Sequence, residues 1–194
     1  KTLKDVNQFH DPLDIDLNLG ISPATWPLFG VVWPSGEVLA DLMQTYPIEN
    51  KAILELGCGM ALSSIVLKNR KANITSSDYH PGSGVFLGEN LKLNNFSHIK
   101  FIRADWKNEY HQFEKFDLII GSDILYQPNH PKILSGFIQS VANPHCVVII
   151  VDPNRGNNSK FNQEMESLNF TVDKRSLDFT TNLGLIKAYL AEYN

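Results

Sequence analysis

The residues of this chain that could do chemistry stand at the ends of its apolar runs. Glu55, Gly57 and Gly59 follow the run Ala52-Ile53-Leu54, Asp78 closes the next run, and Asp105-Trp106 closes a third. Glycines let the backbone turn sharply and approach a ligand with no Cβ in the way. The helical spacing of Leu62, Ile65 and Val66 behind them points free N–H groups and a positive dipole end at that ligand. An acid at the tip of a second strand can accept hydrogen bonds from both hydroxyls of a ribose. An acid and an indole at a third strand edge suit an adenine amino group and its ring. The chemistry is nucleotide binding.

The spacing also discriminates among nucleotides. A dinucleotide fingerprint needs a third small residue at position 62, which is Leu62 here, so pyrophosphate binding and a NAD-dependent oxidoreductase are disfavoured. Glu55, two residues before Gly57, reads instead as the E-x-G-x-G signature of S-adenosylmethionine (SAM) enzymes. There a carboxylate and glycine backbone hold a cationic amino-acid tail rather than phosphates.

Strand, glycine turn, helix, strand and acid across Lys51–Asp78 make the first unit of a nucleotide-binding α/β sheet. Upstream, Lys1–Gly20 alternates acids with Leu13, Ile15, Leu17 and Leu19, and reads as an edge strand, a hairpin or a loosely held arm. Trp33 stands just before a helix expected over Glu37–Tyr46 with Ser35 as its N-cap, placed to close over a pocket. A helix is predicted from Tyr79-His80-Pro81-Gly82 to Asn94, and a strand over Ile99–Ala104. The continuous apolar run Phe116–Ser122 suits a central strand covered on both faces. Pro128 and Pro131 mark a loop and the first turn of a helix running to about Val141, and His145–Val151 is a fifth strand. A helix over Ser159–Leu168 precedes strands Thr171–Ser176 and Leu185–Glu192, joined by a turn with Asn182 and Gly184. The expected fold is α/β: a Rossmann-like, doubly wound, seven-stranded sheet, mostly parallel with a C-terminal antiparallel hairpin.

At 194 residues the chain accommodates one such domain and not two ordinary ones. It divides into an N-terminal arm, 1–28, and a catalytic domain, 29–194. The formal net charge of −4 and the absence of a Lys/Arg run indicate no nucleic-acid partner. Cys58 and Cys146 read as reduced residues of a cytoplasmic protein, with no catalytic role needed for Cys58. No signal peptide or membrane-spanning run is seen. The start at Lys1 rather than methionine points to a removed tag or short native segment. The histidines, His10, His80, His98, His111, His130 and His145, lack paired ligand spacing and read as scattered surface imidazoles, so no metal is indicated.

With these residues placed, the chain resembles the class I, seven-strand SAM-dependent methyltransferases and, more narrowly, methyltransferase family 16, which includes many protein lysine methyltransferases. The resemblance covers Phe29 to the C-terminus. It rests on Val32-Trp33-Pro34-Ser35, Ile53 to Gly59, Asp78, Asn90-Leu91-Lys92-Leu93-Asn94-Asn95, Asp105-Trp106 and Ser122-Asp123-Ile124-Leu125-Tyr126. The last matches the D-x-x-Y motif of the family's lysine-modifying members, whereas amide- and base-methylating enzymes of this fold usually carry N-P-P-Y there. Asp152-Pro153-Asn154-Arg155 is similar to the D-P-G-R segment of an electron-transfer-flavoprotein lysine methyltransferase branch. The W-P-x-x region is also similar to a branch acting on histone arginine. The third glycine of the loop is Ala61 here, a departure from the family pattern.

The resemblance implies that Trp33, Glu55, Gly57, Gly59, Asp78, Asp105, Trp106 and Ser122 contact SAM, with S-adenosylhomocysteine (SAH) as product. It also implies that Asp123 and Tyr126 are catalytic. Asp123 would hold the incoming ammonium at the pocket mouth, and Tyr126 would line the channel. The acceptor is expected to be a side-chain nitrogen of a protein, most simply lysine, and the enzyme a monomer. A small-molecule acceptor and a non-catalytic SAM-binding scaffold remain the alternatives, because a fold alone does not fix a substrate.

Overall fold

Seven strands form one sheet in the order β3-β2-β1-β4-β5-β7-β6. This computed structural model describes all residues except 6, 108, 109, 154, 155, 182 and 183, and does not describe the side chains of 110 and 177–189. The Asn154-Arg155 part of the D-P-x-R segment and Asn182 of the last turn therefore lie outside the described residues. The strands are β1 (Ala52–Leu56), β2 (Asn73–Asp78), β3 (Lys100–Arg103), β4 (Phe116–Ser122), β5 (Ala142–Asp152), β6 (Val172–Thr181) and β7 (Gly184–Tyr193). The first five pair in parallel, and β7 runs antiparallel to both β5 and β6. The fold is the expected α/β sheet with its antiparallel C-terminal pair.

The helices are α1 (Ile15–Asn18), α2 (Pro34–Leu42), α3 (Leu62–Asn69), α4 (Pro81–Leu93), α5 (His130–Val141) and α6 (Asn158–Ser167). Successive strand residues face opposite sides, and the apolar runs supply both sides. Ile53, Leu118, Ile120, Ile149 and Val151 pack under Val38, Leu39, Leu67, Leu87 and Leu91 of α2, α3 and α4. Leu54, Ile119, Val148 and Ile150 pack under Leu134, Phe137, Ile138, Phe161 and Met165 of α5 and α6. A sheet covered on both faces requires this continuous hydrophobicity. The chain moves outward from β1 to β3 and then returns to β4 beside β1. That reversal opens a crevice at the strands' C-terminal ends, the position where open α/β sheets bind ligands.

Two local expectations are corrected. Helix α2 begins at Pro34, with Trp33 as its extended cap residue and no side-chain cap, so Ser35 lies inside the helix rather than at its cap. Proline is well suited to a first helical position because its missing N–H has no partner to lose. The arm contains no strand among the described residues. Its short helix α1 forms because the Asp11 carboxylate accepts the N–H groups of Ile15 and Leu17, each at 2.9 Å. Trp26 and Phe29 then anchor the arm in a small core with Ile21. Trp26 Nε1 donates to the buried Asp16 Oδ2 at 2.7 Å.

Candidate active site

The glycine turn after β1 is left-handed at two points, Gly57 with φ 57° and Gly59 with φ 49°. A Cβ on Gly57 would fall 2.6 Å from Ile124 Cγ2, and one on Gly59 would fall 3.0 Å from the Phe29 carbonyl oxygen. Both sites therefore exclude side chains by conformation and by space. Ala61 also adopts φ 57°, which accounts for the glycine often found there in similar loops.

Glu55 lies almost fully buried beneath this turn. Its Oε2 accepts the Ser64 N–H at 2.9 Å and, at very short range, the Ser64 hydroxyl. Ser64 is the third residue of α3, so Glu55 satisfies one of the helix's orphan N-terminal donors. The Ser76 hydroxyl donates to Ser64 Oγ at 2.7 Å and extends the network into β2. Burial pushes the Glu55 carboxyl up to about 7, only partly offset by the Ser64 hydrogen bonds.

Asp78 ends β2 with both carboxylate oxygens engaged by backbone. Oδ2 accepts from Gly59 N–H at 2.7 Å and Oδ1 from His80 N–H at 2.8 Å. Its pKa is raised, burial outweighing these hydrogen bonds. Past β3, Asp105 Oδ1 accepts the Lys107 N–H at 3.0 Å. The Trp106 indole Nε1 is buried without a partner among the described residues, a donor still to be satisfied. Trp33 donates its indole N–H to the Leu28 carbonyl at 3.0 Å.

Asp123 leaves β4 in a left-handed conformation, φ 56°, with its N–H donated to the Val151 carbonyl at 2.9 Å. Tyr126 follows, about half exposed. Its phenol is held above its ordinary range, first by burial and then by the charges of Asp78 and Asp123. Such a group stays a neutral hydroxyl at physiological pH.

All ten residues singled out from the sequence (Trp33, Glu55, Gly57, Gly59, Asp78, Asp105, Trp106, Ser122, Asp123 and Tyr126) line one cavity of about 590 Å³. That size is typical of small-molecule and cofactor sites. Three contributions escape sequence reasoning. The arm supplies Leu19, Gly20, Ile21, Ser22 and Thr25 to the wall. His80, far from being a surface imidazole, is buried, stacks on Phe29 at 3.9 Å, and accepts the Gly82 N–H on Nδ1 at the start of α4. His130 is also half-buried and lines the cavity. Pro81 and Pro131 signal helix starts, but no local pattern tells which way the preceding histidine faces.

The sequence model of the family described as lysine methyltransferase, methyltransferase family 16, matches residues 24–168. Protein N-lysine methyltransferase METTL21A of Xenopus tropicalis is 27% identical over 86% of this chain and 81% of its own length. The electron transfer flavoprotein beta subunit lysine methyltransferase of Danio rerio is 26% identical over 69% of this chain, which spans only 54% of that protein. Among solved structures, precorrin-6y C5,15-methyltransferase of Geobacter metallireducens superposes with a TM-score of 0.65 at 14% identity, covering 82% of this chain and 87% of that one. Magnesium protoporphyrin IX methyltransferase of Synechocystis, solved with bound SAM, superposes at 0.62 and 16% identity, covering 82% and 78%. At these identities the structural likeness concerns the fold alone.

Proposed function

The chain belongs to methyltransferase family 16, the lysine methyltransferases, and from that premise we propose that it transfers a methyl group from SAM to a lysine side chain of a protein. The observation that carries the proposal is the cavity itself. The glycine turn and Asp78 line the same cavity as Asp123 and Tyr126.

The residues fit the cofactor. Gly57 and Gly59 leave space where a Cβ would collide with Ile124 or the Phe29 backbone, Asp78 lines the cavity where it would accept from ribose hydroxyls, and Trp106 offers a buried N–H with no partner among the described residues. Glu55 would meet the cationic amino-acid end, Asp105 with Trp106 would bound the adenine, and Trp33 with Ser122 would complete the wall. When bound, SAM supplies an electrophilic methyl on a sulfonium.

This chain's own residues prepare the acceptor. A free lysine has a pKa of about 10.4 and arrives as an ammonium. The Asp123 carboxylate attracts that cation to the cavity, and the apolar wall disfavours its charged form. Tyr126, as a neutral phenol, accepts from an amine N–H and orients the nitrogen, while its ring face favours cationic or methylated nitrogen. Positioning and desolvation are what such a displacement requires.

Among the described residues no helix is long and apolar enough to cross a membrane. Together with two buried free cysteines, this supports a cytoplasmic reading, and we take the enzyme to act as a monomer on its protein substrate.

The test is labelled-methyl transfer from SAM into a cell lysate, with SAH binding measured in parallel. Asp123→Asn is expected to lose about tenfold or more in transfer while SAH affinity stays within about threefold. Asp78→Ala is expected to weaken SAH binding about tenfold, about 1.4 kcal/mol. Full activity in Asp123→Asn would refute its role, and label confined to small molecules would refute a protein acceptor.

A further inference from the structure

Beyond Asp123, whose N–H is bonded to β5, the loop that runs to Tyr126 is held in shape by side chains from other elements. The Asn157 amide donates to the carbonyls of Leu125 at 2.7 Å and Gln127 at 3.2 Å. His130, the first residue of α5, approaches the Ile124 carbonyl with Nδ1 at 2.6 Å. A carbonyl only accepts, so Nδ1 carries the proton and the neutral ring is the Nδ1–H tautomer. Burial, the largest influence on this imidazole, holds its pKa below the ordinary 6.5, which favours that neutral form.

The ring does more than donate. It makes T-shaped contacts with two aromatics of the cavity lining, its centre 5.5 Å from the Trp106 ring and 4.7 Å from the Tyr126 ring. The residue whose carbonyl it holds, Ile124, has its Cγ2 where a Gly57 side chain would be and its Cδ1 where a Gly121 side chain would be. His130 thus touches the adenine side through Trp106, the acceptor side through Tyr126, and the glycine turn through Ile124.

We propose that His130 is a positioning residue for methyl transfer: its Nδ1–H sets the height of Ile124 over the glycine turn, and its ring sets the orientation of Tyr126. The inference rests on the methyltransferase reading above. It separates into two parts that different substitutions remove. His130→Phe keeps a ring of similar size and loses the donor. His130→Asn keeps a donor, the amide Nδ2–H, near the place of Nδ1–H and loses the ring.

Tyrosine orientation and loop height act on different kinetic quantities. His130→Phe, which loses the donor that holds the Asp123 loop, is expected to raise the acceptor KM about fivefold or more with kcat within about threefold of wild type. His130→Asn, which loses the ring against Tyr126, is expected to keep the acceptor KM within about threefold and instead lower kcat about tenfold or more. SAH affinity should fall by less than activity in both, because Asp78 and the glycine backbone stay in place and only the packing of Ile124 and Trp106 against them changes. Equal effects of the two substitutions, wild-type kinetics in both, or SAH affinity falling in step with activity would overturn the proposal.

A second readout is independent of turnover. Imidazole ¹⁵N NMR of the unliganded wild-type protein should show His130 as the neutral Nδ1–H tautomer, with His130→Asn identifying the signal. An Nε2–H tautomer would overturn the assignment. Wild-type protein that binds SAH but methylates no protein would refute the activity reading while the tautomer result still decides whether His130 holds the loop.

Discussion

Glu55 makes the stability of this protein depend on pH in a direction opposite to that of a salt-bridged acid. In the folded chain burial raises its pKa from an ordinary 4.5 to about 7. Between those values the unfolded chain has released the Glu55 proton and the folded chain still holds it. Stability therefore falls as pH rises through this window, and is level below it and above it. At about 1.4 kcal/mol per pH unit, the interval from 4.5 to about 7 is worth about 3 kcal/mol. The residue is only 4% exposed, so solvent screening removes little of it. In Glu55→Gln the side-chain oxygen can still accept from Ser64, but nothing titrates. Urea unfolding of both proteins without ligand, at pH 5 and at pH 8, gives the difference between them at each pH. That difference should move in favour of the glutamine variant by about 2–3 kcal/mol from pH 5 to pH 8. A difference constant to within about 0.5 kcal/mol would refute the reasoning, because it would mean that Glu55 ionises as easily inside the protein as outside.

Two further substitutions test the turn and the arm. Gly57→Ala combines left-handed strain with a contact of 2.6 Å to Ile124, and should cost about 3 kcal/mol in a urea titration; a loss under about 1 kcal/mol would contradict the crowding inferred at this turn. Trp26→Phe deletes the donor to buried Asp16, a loss of about 1–3 kcal/mol. It should show as faster hydrogen exchange in residues 15–25 ahead of global unfolding, and unchanged exchange there would show that the arm is held by other contacts.

The parts of the molecule that were legible in the sequence are those whose cause is local. Phe116–Ser122 is apolar throughout because both its faces are covered, and the strand has those bounds. The glycines before α3 mark a turn whose dihedrals require them. What was not legible depends on partners distant in sequence. The start of β5 extends back to Ala142 because an irregular register lets that residue pair with Phe116, and no pattern in 142–145 announces it. The alternation in Lys1–Gly20 leaves an edge strand, a hairpin or a loosely held arm open, and what decides among them is that Asp11 stabilises a helical turn and Trp26 binds Asp16 across ten positions. His80 and His130 read as surface residues because the rings that cover them, Trp26 and Phe29 for the first and Trp106 for the second, come from other elements.

The strand order has a consequence for how the chain assembles during synthesis. Of the seven strands, β7 is translated last, yet it lies inside the sheet between β5 and β6. Until it leaves the ribosome, β5 presents an open edge and β6 has no neighbour to join it to the sheet. The β1–β4 half, which carries the glycine turn and the Asp123 loop, is complete in sequence well before that. A nascent chain can therefore organise its ligand crevice early while one flank stays adhesive to other chains. Insertion of β7 is the step that closes that edge.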